Sequence, residues 1–269
     1  MAPFVTFLSD YGTTGEFVGV IHGVIARLCP EARVIDIGHG IPRQAVEIAA
    51  RVLLRSLLFM PAGVHLAVVD TPVGSGRVAV ALRVAEQERL LVGPDNGLLI
   101  PVAERFGGVV QAVDISDSPW CPDRVSATFH GRDVFAPVTA RLAAGAPLAE
   151  AGTPLVPSEL RRIDLSRARR DPDGNLIAHA VEVDGFGNVA LDGGHGDVVA
   201  SGWSLGQHVR LTVRDHVHRV VFALGFADAQ PGEPLLYEDS AGGLALAVNG
   251  GSAAKVLELR VGEPVTLAR

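Results

Sequence analysis

Three clusters of polar side chains interrupt otherwise apolar runs. They are Ser9-Asp10-Tyr11-Gly12, the stretch from Asp70 to Arg77, and Thr128-Phe-His-Gly-Arg-Asp133. Each begins where a strand-like run stops, and in α/β layers ligands collect beyond the carboxyl ends of strands. The groups on offer are carboxylates, a guanidinium that keeps its proton, and an imidazole that titrates near neutrality. Such groups can grip hydroxyls, hold a polar nucleophile and move a proton. Each aspartate also suits a helix cap, and His130 alone suits a structural hydrogen bond. Asp10, His22, His39, Asp70 and His130 are side chains that could bind a metal. No H-x-x-x-H or H-x-x-E-H spacing puts them on one helix face, and His22 sits within an apolar helical pattern, so no metal ligand is assigned.

The elements that must position these clusters follow from periodicity. Pro3 to Leu8 reads as a buried strand. Phe17, Val20, Ile21, Val24, Ile25 and Leu28 recur at helical spacing, and Pro30 ends that helix. Arg33 to Ile37 is a second strand. Val46, Ala49, Ala50, Leu53, Leu54 and Leu57 mark a second helix. Val64–Val69, Val78–Val84 and Arg89–Val92 read as strands, and 97–106 and 133–144 as helices. This alternation predicts a layered α/β domain over residues 1–170. The polar turn Arg169-Arg-Asp-Pro-Asp-Gly-Asn175 ends it. Beyond it helical periodicity disappears. Strand-like runs appear at 176–183, 208–213, 219–224, 244–248 and 254–259. They predict a smaller all-β domain, a barrel or sandwich, over residues 175–269.

Bulk properties remove several function classes. Of 269 residues, 48% are hydrophobic and 20% charged, enough for a sizeable core. Aromatics are only 5%, so that core is mainly aliphatic. The net charge is −7, and the basic run 161–170 is broken by Asp164 and Ser166, so no nucleic-acid stripe forms. No apolar stretch is long enough to span a membrane. Cys29 and Cys121 stand alone, without a CxxC pattern. Isolated thiols suit a reducing cytoplasm, and the N-terminus reads as a first strand, without a signal peptide. No G-x-G-x-x-G follows the first strand, which disfavours a dinucleotide enzyme.

Four motifs together are far more specific than any one. They are Ser-Asp-Tyr-Gly-Thr at 9–13, Gly-Pro-Asp-Asn-Gly at 93–97, Thr-Phe-His-Gly-Arg-Asp at 128–133, and Asp-Gly-Phe-Gly-Asn at 184–188. In this order they resemble the hydroxide adenosyltransferase family and its halogenating cousins, the fluorinases and chlorinases. The resemblance implies hydrolysis of S-adenosyl-L-methionine to adenosine and methionine, with no cofactor. It also implies a homotrimer, the small-molecule substrate lying between the α/β domain of one subunit and the β domain of its neighbour. Asp10 then matches a ribose-gripping carboxylate, and Asp184 one near the methionine amino group. Phe186 and Asn188 match adenosine contacts, Ser240 a hydroxyl near the methionine carboxylate, and Asn249 to Ser252, Gly250 included, the backbone that reads adenine.

The same resemblance makes Asp70, Arg77 and His130 the holders of the attacking water. Halogenases carry Tyr in place of this Asp and this His, and Ser at the position of Gly131, so the set here implies water as the nucleophile. Ala241 stands where fluorinases have an arginine for the substrate carboxylate. The alternatives are a halide adenosyltransferase, a metal-dependent hydrolase and a non-catalytic adenosine-binding module.

Overall fold

A computed structural model describes residues 2–69 and 77–269 of the chain. It divides into two compact units, Met1–Leu165 and Ser166–Arg269. The boundary falls before the polar turn at 169–175, because Arg169–Arg170 already pairs with the second unit's sheet.

The first unit carries a seven-stranded sheet. Its strands are β1 (Phe4–Ser9), β2 (Arg33–Gly38), β3 (Val64–Val68), β4 (Ala79–Val84), β5 (Leu90–Pro94), β6 (Val109–Asp114) and β7 (Thr153–Leu155), in the spatial order β2-β1-β3-β5-β4-β6-β7. β2, β1, β3 and β5 run parallel, and the remaining pairings are antiparallel. The helices are α1 (Phe17–Leu28), α2 (Val46–Leu57), α3 (Ile100–Arg105) and α4 (Ala136–Ala143). Successive strand residues point to opposite faces, and here both faces are covered. Val5, Phe7, Leu66 and Val68 pack with Ile21 and Ile25 of α1 and Val138 of α4. Leu8, Ala67 and Val69 pack with Ala49, Leu53 and Leu57 of α2 and Val102 of α3. That two-sided burial is why these strands read as continuous apolar runs.

The second unit is a closed barrel. Its strands are β8 (Arg169–Arg170), β9 (Leu176–Val183), β10 (Val189–Gly194), β11 (His208–Val213), β12 (His216–Phe222), β13 (Pro234–Glu238), β14 (Gly243–Val248) and β15 (Pro264–Ala268). The order β10-β14-β13-β12-β11-β15-β9 closes on itself because β9 also pairs with β10. β8 flanks β9. Closure leaves the seven ring strands no open edge. Leu211, Leu236, Leu246, Val265 and Leu267 fill the interior.

Several sequence expectations are corrected here. Residues 254–259, read as a strand, contain instead the short helix α6 (Ala253–Val256). Ser252 Oγ accepts the Lys255 amide and starts it. A further helix, α5 (His195–Ser201), lies where helical periodicity was not expected. The expected helix at 133–144 opens as a π-helical turn, Gly131–Phe135, before α4. β6, β7, β8, β10, β13 and β15 lie outside the strands read from the sequence.

Three hairpins of the barrel unit close with one turn chemistry. The Asp171 carboxylate accepts the amides of Asp173 and Asn175. That of Asp184 accepts the amides of Phe186 and Asn188. That of Asp239 accepts the amides of Ala241 and Gly243. In each a glycine three positions on has positive φ: Gly174, Gly187 and Gly242. The pattern Asp-x-x-Gly thus marks each reversal.

Candidate active site

In the first unit the chain passes from β1 to β2 on one side and then crosses back to β3 on the other side of β1, so the direction of winding reverses there. Such a switch point opens a crevice at the carboxyl ends of the strands. Ser9 to Gly12 lie there. The Asp10 amide donates to Val68 O at 3.3 Å, the Gly12 amide donates to His39 O at 2.7 Å, and Asp10 Oδ2 accepts the Gln44 amide at 3.4 Å. Tyr11 joins an aromatic cluster, its ring centroid 6.2 Å from Phe7 and 6.0 Å from both Phe17 and Phe129.

The segment 128–133 folds against that loop. It enters the π-helical turn at Gly131, and such turns concentrate at functional sites. A side chain at 131 would meet the Tyr11 hydroxyl: an ideal Cβ there lies 2.2 Å from Tyr11 Oη. Asp133 does not cap a helix. It takes a two-point bond from Arg132, at 2.6 and 2.8 Å, and accepts the Ser126 amide at 2.8 Å. The Arg132 bonds hold its carboxyl below the usual range, against a smaller opposing push from burial. Arg77 places its guanidinium 5.3 Å from the centroid of Phe135, in the same π turn. Tyr11, the His130–Phe135 segment and Arg77 therefore form one contact group. Asp70, the remaining member of the expected water-holding set, lies outside the described residues. Asn96 Nδ2 donates to Val69 O at 2.8 Å, so the 93–97 motif braces the chain just before position 70.

Beside Asp10 runs a chain of four side chains that the sequence reading did not connect. Ser9 Oγ lies 2.8 Å from His39 Nδ1. His39 Nε2 lies 3.2 Å from Asp36 Oδ1, at ion-pair distance but off the ideal hydrogen-bonding line. His22 Nε2 lies 2.8 Å from the same oxygen. The Ser-His-Asp order resembles a nucleophilic triad, but Ser9 is fully buried and accepts the Tyr11 amide at 3.3 Å. It cannot meet a substrate.

In the second unit, the structure brings two of the expected segments together. The Ala254 amide donates to Gly187 O at 3.0 Å, and a Cβ on Gly187 would lie 2.1 Å from Ser252 Oγ. The turn 184–188 therefore docks on the start of α6. Asp184 spends both oxygens inside this turn, Oδ2 accepting Asn188 Nδ2 at 2.8 Å. The turn projects Phe186, which is 85% exposed. Asn249 Nδ2 donates to Ala229 O at 2.8 Å and braces the loop that carries Phe226. Gly250 is exposed with φ +75°. Ser240 is exposed in the Asp239 turn. Sequence reasoning missed Phe226 and Tyr237, whose rings stand 5.3 Å apart. Burial, then the charges of Asp239 and Asp184, push the Tyr237 hydroxyl pKa up. In a chain with so few aromatics, two in adjoining barrel segments were the available signal.

Among the described residues, no group of three or more His, Cys, Asp and Glu could hold a metal ion. Among them, too, no helix is long and apolar enough to cross a membrane.

Residues 5–152 match the SAM hydroxide adenosyltransferase N-terminal domain, and residues 178–266 match its C-terminal domain. The chain is 47% identical over 261 residues to the (R)-S-adenosyl-L-methionine hydrolase of Salinispora tropica, covering 97% of this chain and 96% of that one. It is 37% identical to the hydrolase of the same name from Thermus thermophilus, over 98% of both chains. A fluorinase from Actinopolyspora mzabensis is 29% identical over 99% of this chain and 97% of its own. A conserved protein of known structure from Thermotoga maritima superposes with TM-score 0.91 at 34% identity, covering 98% of this chain and all of that one. With both domains matched in order and relatives aligned end to end, the chain belongs to the SAM hydroxide adenosyltransferase family.

Proposed function

We propose that this protein hydrolyses S-adenosyl-L-methionine to adenosine and L-methionine. The observation that carries the reading is the contact group of Tyr11, the His130 turn and Arg77 beside Asp10, in a chain aligned end to end with hydrolases of this substrate. Water oxygen attacks C5′ of the substrate. The C5′–S bond breaks, its electron pair stays on sulfur, and methionine leaves as a neutral thioether. The sulfonium is already an activated leaving group, so the displacement needs neither a metal nor a covalent enzyme intermediate. Attack by an anion on a cation destroys charge, which a dry site favours.

The proton is the difficulty. A guanidinium about 4 Å from the water attracts hydroxide by roughly 4 kcal/mol at an effective dielectric near 20. At about 1.4 kcal/mol per unit that lowers the water pKa by about three. That still leaves it far above neutrality. Arg77 therefore needs a proton acceptor beside it, and His130 fills that role. Asp70 orients the set and balances the arginine charge.

Asp10 grips the ribose hydroxyls. Asp184, Phe186, Asn188, Ser240, Asn249 and Gly250 supply the adenosine and methionine contacts. The working form is a cytoplasmic homotrimer, with substrate held between the first unit of one copy and the second unit of its neighbour. The exposed Phe186 and Leu224 support such an assembly, as unpartnered large apolar side chains, and both cysteines are free.

Product analysis in ¹⁸O-labelled water tests the reaction. Adenosine and methionine should form in equal amounts, with label in the 5′-hydroxyl, inversion at C5′, and no effect of chelators. Unlabelled adenosine, or activity abolished by chelation and restored by zinc, would overturn it.

A further inference from the structure

We propose that His39 is a positioning residue for Asp10, acting through the hydroxyl of Ser9. The inference rests on the reading of Asp10 as the ribose clamp.

The hydrogen-bond polarity of the buried chain can be worked out. His39 Nε2 makes no hydrogen bond of good geometry, but it lies 3.2 Å from the Asp36 carboxylate, whose negative charge favours the ring proton on that nitrogen. Nδ1 is then a bare acceptor, and the Ser9 hydroxyl donates to it at 2.8 Å. With its proton committed, Ser9 Oγ presents lone pairs elsewhere, and the Tyr11 amide donates to one of them at 3.3 Å. That bond closes a tight turn whose central residue is Asp10. The His39 carbonyl accepts the Gly12 amide at 2.7 Å on the far side. His39 thus constrains the loop before and after Asp10, by side chain and by backbone.

The ring itself has little freedom. It is 7% exposed and packs 4.6 Å from Phe7. Asp36 accepts from His22 at 2.8 Å, so the carboxylate beside the His39 ring is anchored to α1. Without an acceptor at Nδ1, a fully buried Ser9 hydroxyl would turn toward another partner. The Tyr11 amide would lose its acceptor, and the Asp10 carboxylate its direction. A serine at the end of β1 and a histidine at the end of β2, on adjacent parallel strands, therefore govern how a third residue meets ligand.

The test uses adenosine, which carries the ribose but undergoes no reaction. Calorimetric affinity is measured beside steady-state turnover and thermal stability. His39→Ala should weaken adenosine binding and raise KM about tenfold, with kcat within about threefold of the parent protein. His39→Asn keeps an acceptor near the Nδ1 position and should restore most of the affinity. Ser9→Ala should reproduce the His39→Ala loss, and the double variant should be no worse than the larger single loss, because the two act in series. A role in stability alone would lower the melting temperature and leave adenosine affinity intact. Unchanged affinity in both single variants, or additive losses, would overturn the proposal. Should His39→Ala fail to fold, Ser9→Ala and His39→Asn carry the same test. A parent protein that neither binds adenosine nor forms it would remove the reading beneath the proposal. A parent that turns over normally while both variants bind as well as it does removes the positioning role alone.

Discussion

The Tyr11 hydroxyl occupies the space that a side chain at Gly131 would need, 2.2 Å from an ideal Cβ at that position. The two residues are 120 positions apart, yet the size of one limits the other.

A first prediction follows from that contact. Gly131→Ala should push Tyr11 off its place and lower turnover at least tenfold, with about 1–3 kcal/mol of overpacking strain. Tyr11→Phe removes the oxygen and leaves the ring carbon, whose distance to the new methyl is 3.1 Å. The double variant should therefore recover part of the loss. Equal activity in the Gly131→Ala and double variants would mean that the contact does not limit the site.

Arg77→Ala and His130→Ala should separate chemistry from binding. Each should lower kcat, His130→Ala by about 10²–10⁴-fold as for a lost general base, while substrate affinity changes little. Asp10→Ala should mainly weaken binding. Asp184→Ala should weaken it too, but through its turn, because both carboxylate oxygens serve Phe186 and Asn188. Equal affinity losses in all four variants would mean that these roles are misassigned.

Halide should not replace water. Excess chloride or fluoride should yield no 5′-halo-5′-deoxyadenosine detectable by mass spectrometry. The expected nucleophile site contains a carboxylate, Asp70, that repels an anion. Halogenated product at a rate comparable to adenosine would place the chain with the halogenating branch.

Assembly is testable by light scattering. The mass should be near three times 28.1 kDa, and activity should fall on dilution into monomer. A fully active monomer would contradict a site shared between copies.

The last prediction concerns acid. His65 is fully buried between Thr6 and Arg89, with Nδ1 2.9 Å from Thr6 Oγ1 and Nε2 2.9 Å from the guanidinium. Burial, then the Arg89 charge, lowers its pKa from 6.5 to about 3. As pH falls from 6.5 towards 3, the unfolded chain binds a proton that the native protein refuses. Stability then drops by up to about 1.4 kcal/mol per pH unit from this group. His65→Gln should cost stability at pH 8 but flatten the slope between pH 6.5 and 4 in urea unfolding. Parallel slopes would show that His65 does not carry it. Arg89 also donates to the carbonyls of Met60 and Pro61 just beyond α2. Arg89→Ala should therefore destabilise by about 3 kcal/mol, a buried charge-assisted set being lost.

Much of this molecule was legible in the residues alone, for a local reason. Periodicity reports which face of an element is buried, so Ile21 and Ile25 marked α1 and Leu53 and Leu57 marked α2. Strand residues with both faces covered read as apolar runs. The four motifs marked the family because they stand at strand ends and tight turns, where local geometry restricts residue type. Residues 254–259 misled because a short capped helix and a strand share the same apolar residues. Only the tertiary structure decided the rest. The sheet order sets Ser9 beside His39 and Tyr11 against Gly131, and β9–β10 pairing closes the barrel. These are contacts between distant positions, fixed by which strands become neighbours, and no local pattern of hydrophobicity or turn chemistry encodes that choice.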